Sequence, residues 1–368
     1  MSDLLDPCCR PGVYRRTGRN HPSGTSGGCR AFGVAAALLL AVAAACTPSD
    51  GRQPLIVYSP HGPDLLRTFE ERFEALNPEV DVQWLDMGSQ EVLDRLRSER
   101  ANPQADVWFG GPSQLFHAAA EEGLLEAFTP TWASQVADYS DAESRYHGVY
   151  LTPLIIAYNS EVVDSASAPQ DWDEILDPRW EDQILIRDPL ASGTMRTLFG
   201  MVIQRSIRET GDTGTGFEWL RRLDRLTREY VLNPTLLYQK LARREGLVTL
   251  WDMPDIEALK ATTDFPIDYL YASSGTPLVE DAIAVVAGHA DPELARSFVE
   301  FIGQEEEVLL AAREFFRLPA RDDIPIESYP DQLRRAREVI VPEPIDWQML
   351  HERGAEWMRY WDENIRGG

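Results

Sequence analysis

Three strand–turn–helix units in a row open the structured part of this chain, and they leave few folds open to it. Leu55-Ile56-Val57-Tyr58 is a compact apolar strand, and Ser59-Pro60-His61-Gly62-Pro63 is a turn whose last proline suits the first position of a helix. Leu66, Phe69, Phe73 and Leu76 then recur at helical spacing until Asn77-Pro78. Val80 to Leu85 reads as a second strand, and Ser89 is placed to cap a helix carrying Val92, Leu93 and Leu96. Asp106-Val107-Trp108-Phe109 is a third strand, broken by Gly110-Gly111-Pro112-Ser113, and Leu115, Phe116, Ala119 and Ala120 mark a third helix. Strands that alternate with helices build a parallel α/β sheet. Ligands of such sheets sit beyond the carboxyl ends of the strands. The turns at 59–62 and 110–113 therefore share one rim, and Ser59, His61, Gly62, Gly111 and Ser113 become candidate binding residues.

The pattern changes at Gly148-Val149-Tyr150-Leu151-Thr152-Pro153-Leu154-Ile155-Ile156-Ala157-Tyr158-Asn159. So long a strand-like run with a central proline fits a strand that leaves one domain and enters another. Asp171 to Leu176 starts a helix that Asp177-Pro178 stops, and Gln183 to Arg187 is a strand. Met195, Leu198, Phe199 and Val202 share one face of the helix that follows, and residues 211–216 read as a loop. Leu247 to Trp251 and Asp268 to Tyr271 read as strands, and Ala282 to Ala287 is a strand that returns to the first domain. Residues 291–317 and 331–366 read as mostly helical.

Ser192-Gly193-Thr194 lies between a strand and that amphipathic helix. The first amides of a helix have no intrahelical partner, and the helix dipole adds about 0.3–2 kcal/mol toward an anion. Ser192, Gly193 and Thr194 are thus candidate anion donors; the competing assignment is that Ser192 or Thr194 only caps the helix. His61 donates to an anion if it faces the cleft, and otherwise is a solvated turn residue. Glu280-Asp281 reads as a solvated acidic face.

Composition removes several function classes. With 60 acidic against 35 basic residues the formal net charge is −25, which argues against a nucleic-acid partner. Ala31 to Ala45 is a short apolar run behind Arg10, Arg15, Arg16, Arg19 and Arg30, and Cys46 follows it. That is the pattern of an export signal, with Ala43-Ala44-Ala45-Cys46 resembling a lipobox. Residues 1–45 are expected to be a removed leader, 46–53 a tether, and Cys46 the site of lipidation on the outer side of a bacterial membrane. Cys8, Cys9 and Cys29 leave with the leader, so no thiol remains for a disulfide, a zinc cluster or a nucleophile. Beyond residue 45 no His-Glu-x-x-His, Gly-x-Ser-x-Gly, Ser-x-x-Lys or Gly-x-x-x-x-Gly-Lys is present, and the chain is not expected to be an enzyme or to hold a metal or cofactor.

Residues 55–62, 105–113, 123–125, 148–154, 176–180, 188–194, 275–281 and 317–321 together resemble solute-binding proteins of ABC importers, in the branch that includes ferric-iron and hexose-phosphate binders. The resemblance implies a type II periplasmic-binding-protein-like α/β fold: two lobes, each a mixed sheet flanked by helices, joined by two crossover strands that act as a hinge. It places 54–153 and 277–368, with the C-terminal helices, in lobe 1, and 154–276 in lobe 2. It implies a monomeric receptor that closes on a small anionic solute, phosphorylated or another organic anion, and docks on permease subunits, touching the membrane only through its lipid. The Ser-Gly-Thr turn commonly holds an anion in this branch. Ferric-iron members add two adjacent tyrosines, where this chain has Trp251-Asp252, with Tyr269 and Tyr271 two apart. Asp252 suits ligand hydroxyls and Trp251 suits stacking, or else core packing. A ferric-iron receptor using Tyr269, Tyr271 or His61, and a secreted hydrolase using Asp252, are the alternatives.

Overall fold

The computed structural model describes residues 51–288 and 292–367; the expected leader and Cys46 lie outside the described residues. Strand β1 (Gln53–Ser59), helix α1 (Pro63–Leu76), β2 (Val80–Asp86), α2 (Ser89–Glu99), β3 (Val107–Pro112) and α3 (Ser113–Glu121) form the three expected units. β1 lies between β2 and β3 and is parallel to both. Leu65, Leu66, Phe69 and Phe73 bury one face of α1 together with Leu55 and Val57 of β1. Leu76, the last member of the stripe, is 70% exposed at the helix end.

Two details depart from the local reading. Gly88, not Ser89, is the N-cap of α2, and its N–H donates to the Glu91 carboxylate at 2.8 Å. β3 does not stop at Phe109 but runs on through Gly110 and Gly111 at φ 98° and 113°, a backbone region open mainly to glycine. The ring of His61 lies where a Gly110 side chain would be: an added Cβ would stand 2.4 Å from its Nε2.

After the short β4 (Leu125–Glu126), β5 (His147–Asn159) is buried along its whole length. β6 (Ile184–Arg187), α4 (Gly193–Thr210), α5 (Gly214–Leu226), β7 (Thr227–Val231), α6 (Pro234–Ala242), β8 (Val248–Asp252), α7 (Met253–Thr262), β9 (Ile267–Leu270) and β10 (Leu278–Val286) follow. Of these, α5, β7, α6 and α7 were not foreseen, and the loop expected at 211–216 gives way to α5 at Gly214. β10 begins four residues before the expected strand. The chain then forms α8 (Pro292–Ile302), α9 (Glu305–Phe315), β11 (Leu318–Pro319), α10 (Asp331–Val339) and α11 (Trp347–Asn364).

β5 changes partners at its midpoint. Residues up to Pro153 pair antiparallel with β10, and those from Leu154 pair with β8 and β9. The strand order is β2-β1-β3-β10-β5-β8-β6-β7. One half of the sheet thus carries β1–β3 and β10, and the other carries β6–β9. The return passes beside the outward crossing, where Leu154 N–H donates to Pro277 O at 2.9 Å. α11, expected with the first lobe, packs on both halves. Its His351 stands against His117 of α3, with ring centroids 4.0 Å apart, and its Trp361 is buried between Phe199 of α4 and Tyr230 of β7. Apolar rings at helical spacing along α11 give it two faces to bury.

Candidate solute-binding cavity

A cavity of about 610 Å3 lies where the strand ends of the two halves face one another. One half contributes His61 and Gly62 from the β1–α1 turn, Asp86 and Ser89 from the β2–α2 junction, and Gly111 of β3. The other contributes Arg187 at the end of β6, Ser192 and Thr194 at the start of α4, Tyr238 of α6, and Trp251, Asp252 and Asp255 at the β8–α7 junction. Thr152 of β5, Asp281 of β10 and Arg317, just before β11, also line the cavity, as do the acidic residues Asp64 and Glu91.

The start of α4 is only partly free. Ser192 Oγ accepts from Met195 N–H at 3.3 Å, so this hydroxyl does cap the helix. Gly193 N–H donates across the cleft to Ser89 Oγ at 3.2 Å. A Cβ on Gly193 would stand 2.6 Å from that oxygen and 2.8 Å from Pro112 Cδ, so only glycine admits this approach. Gly193 therefore lies behind the cavity wall, not on it. Thr194 N–H meets no acceptor among the described residues and is the amide left for a ligand. Arg187, 5% exposed, lines the same cavity. Its Nη1 donates to Val231 O at 3.3 Å, and no carboxylate lies within 4.0 Å of it among the described residues. Burial pushes the guanidinium pKa down, against the fields of Asp188, Glu91 and Tyr238. A buried cation without a carboxylate partner is costly; an incoming anion relieves that cost.

His61 is not a solvated turn residue. Its side chain is 3% exposed, packed edge-on to Phe109 at 4.6 Å between ring centroids, with Nε2 unbonded and 3.8 Å from Asp281 Oδ2. Burial pushes its pKa down to about 4; Asp281 opposes this and Arg317 adds to it. His61 is thus a neutral imidazole at neutral pH. Asp281 is no solvated residue either: it is buried and accepts from Gly111 N–H and, at 3.4 Å, from Thr152 Oγ1. Burial likewise raises its neighbour Glu280 to about 7, against the hydrogen bond from Ser113.

Asp252 caps α7 through Asp255 N–H at 3.0 Å. Burial, then the charge of Asp255, pushes its carboxyl well above the usual carboxylate range, while Arg317 pulls it down. Trp251 is buried, and its Nε1 donates to Tyr238 Oη at 2.7 Å. Arg317 is buried with Nε unbonded and Nη2 3.5 Å from Asp255 Oδ1. Burial alone would lower its pKa, but Asp255, Asp252 and Asp281 outweigh that and raise it.

Of the residues singled out from sequence, His61, Gly62, Gly111, Ser192, Thr194, Trp251 and Asp252 line the cavity. Ser59, Ser113 and Gly193 do not. Ser59 is fully buried, and its Oγ accepts from His61 N–H at 3.2 Å; Ser113 Oγ donates to Glu280 at 2.7 Å. Both hydroxyls are spent inside the first half. Tyr269 and Tyr271 are also off the wall. Tyr269 Oη donates to Glu257 at 2.6 Å, and burial raises both hydroxyls, that of Tyr271 to about 12, away from the tyrosinate a ferric ion requires. Sequence reasoning missed Arg187, Arg317, Asp281 and Asp86. Arg187 carried a usable signal, a basic residue closing a strand directly before a helix-opening turn.

The sequence model of the family described as bacterial extracellular solute-binding protein matches residues 102–352, and the chain belongs to that family. It is 27% identical over 342 residues to a protein of Sinorhizobium fredii named as an ABC transporter periplasmic-binding protein, covering 91% of this chain and 92% of that one. A periplasmic protein of Salmonella typhimurium, named for 2-aminoethylphosphonate binding, is 30% identical over 193 residues, 51% of this chain and 54% of that one. Among solved structures, the periplasmic binding protein AfuA of Actinobacillus pleuropneumoniae, described with fructose-6-phosphate bound, superposes with a TM-score of 0.71 at 22% identity, over 87% of this chain and 100% of that one. The fold is the two-lobed, type II periplasmic binding architecture.

Proposed function

We propose that this protein is the solute receptor of an ABC importer and that its cavity captures a small organic anion, with a phosphate or phosphonate group at the Arg187 end. The observation that carries the anion assignment is the buried guanidinium of Arg187, with no carboxylate within 4.0 Å among the described residues, on the same cavity wall as the unbonded Thr194 amide. The phosphorylated sugar of the AfuA structure and the phosphonate in the Salmonella relative's name support the same chemistry. Residues 54–153 and 277–346 act as one lobe, 154–276 as the other, and α11 straddles them. Solute touching both lobes favours the closed form, which docks on membrane permease subunits. The receptor works outside the cytoplasm as a monomer. The leader ending at Ala45 exports it, and acylated Cys46 holds it to the membrane.

Calorimetry against fructose 6-phosphate, glycerol 3-phosphate, alkyl phosphonates, inorganic phosphate and ferric citrate tests the solute class. Binding of at least one phosphorylated or phosphonate compound is expected. Thr194→Asp places a carboxylate at the free amide and should abolish that binding. Unchanged affinity would remove the site assignment, and a visible charge-transfer band with ferric salts would favour iron instead.

A further inference from the structure

The strand that brings Arg187 to the cavity brings a carboxylate directly after it. Asp188 is as deeply buried as Arg187. Of the charges acting on the Arg187 guanidinium, that of Asp188 is the largest, ahead of Glu91. A buried carboxylate needs a cation, and the adjoining guanidinium is the obvious candidate. No ion pair joins the two side chains among the described residues. Asp188 N–H extends the β6–β7 ladder, donating to Val231 O at 2.9 Å, and successive side chains along such a ladder point to opposite faces. Both Asp188 oxygens are spent off the cavity wall. Oδ1 accepts from Leu190 N–H at 2.8 Å, and Oδ2 accepts from Arg366 Nη2 at 2.7 Å, 178 residues further along the chain. Arg366 lies just beyond α11 and is itself fixed in place. Its guanidinium stands over the Tyr230 and Trp361 rings, 5.3 and 5.4 Å from their centroids. Its Nη1 donates to Asp362 at 3.2 Å, and the N–H of the next residue, Gly367, donates to Asp224 at 3.0 Å.

Resting on the anion site proposed above, we infer that Arg366 is a positioning residue for solute capture: by pairing with Asp188 it keeps Arg187 unneutralised and open to an anion. Arg366 does not touch the solute, since it lies off the cavity wall. It acts through Asp188, whose charge would otherwise fall on Arg187 and oppose the incoming anion.

The test titrates fructose 6-phosphate, glycerol 3-phosphate and inorganic phosphate into the wild type and four variants. Arg366→Gln should weaken binding by about tenfold, the effect of one uncompensated charge near a buried site. Arg366→Lys keeps the charge and should stay within about threefold of the wild type. Adding Asp188→Asn to Arg366→Gln should restore affinity to within about twofold, because the competing carboxylate is gone. Asp188→Asn alone should tighten binding. A purely structural role for Arg366 gives the opposite result, since the pair is broken in the double variant as well and binding would stay weak. Unchanged affinity in Arg366→Gln, or a loss that the double variant retains, would overturn the inference and leave the anion site standing. Where Arg366→Gln does not fold, Asp188→Asn decides: tighter binding supports the inference, and equal or weaker binding overturns it. If no phosphate or phosphonate binds the wild type, the anion site itself fails and the inference goes with it.

Discussion

Replacing Arg187 with methionine separates binding from stability in a way few substitutions in this cavity can. The side chain makes one hydrogen bond to the protein, to Val231 O at 3.3 Å. That carbonyl also accepts from Asp188 N–H at 2.9 Å, so it keeps a partner when the guanidinium is gone. No ion pair is broken, and methionine fills most of the volume. Burial holds the guanidinium pKa down, which means the folded state carries this charge at a cost. The free protein should therefore lose less than about 1 kcal/mol, a shift in melting temperature of no more than about 4 °C for a chain of this size, and a gain is possible on the same grounds. Binding should respond differently. A hydrogen bond to a charged group contributes about 1.5–3 kcal/mol, so Kd should rise by roughly 10- to 150-fold. Isothermal titration of the tightest ligand in the panel, with thermal melts of the ligand-free proteins, reads both quantities. Affinity unchanged within twofold would show that Arg187 does not touch the solute. A melting temperature lowered by 10 °C or more would show that the cation is structural.

Gly193→Val drives a branched side chain against Ser89 Oγ and the Pro112 ring. Overpacking of this kind costs about 1–3 kcal/mol, here between the two halves, so small-angle scattering should show a more open protein with weaker solute binding. Asp252→Asn keeps an oxygen to cap α7 but removes the carboxyl that burial pushes upward. Because the folded-state pKa is raised, ionising Asp252 costs stability as pH rises from about 4 through that value. The advantage of the asparagine variant in chemical denaturation should be larger at pH 7 than at pH 4. His61 runs the opposite way. Its folded pKa is depressed to about 4 against an ordinary value of about 6.5, so the wild type should lose stability as pH falls across that interval, and His61→Gln should lose less. Imidazole NMR should place its titration near 4; a midpoint near 6.5 would show a solvated ring.

Much of the framework was legible in the residues because it rests on local periodicity. The strand–turn–helix alternation of 53–121, the stripe on α1 and the order of elements around the Ser-Gly-Thr turn each depend on neighbours a few positions apart. The long apolar run around Pro153 foretold a crossing strand, since no single compact sheet needs thirteen consecutive buried residues. Short or polar elements such as β7 and α7 were lost for want of such a pattern. The binding site was legible as a rim but not as a set of atoms. Ser59 and Ser113 look like surface donors in a turn, yet each side chain turns inward. Arg187 and Asp281 look like ordinary charged residues until the two halves meet around them. Ser89 and Gly193, far apart in the chain, come together at 3.2 Å and decide which amide of α4 stays open. The residues alone were enough to mark the strongly periodic strands and helices and the edge on which their turns collect, because backbone propensity and burial stripes act within a few residues. Tertiary structure alone decided which donors remain unspent and which charges lack partners, because those depend on contacts between segments whose spacing in sequence carries no record of them.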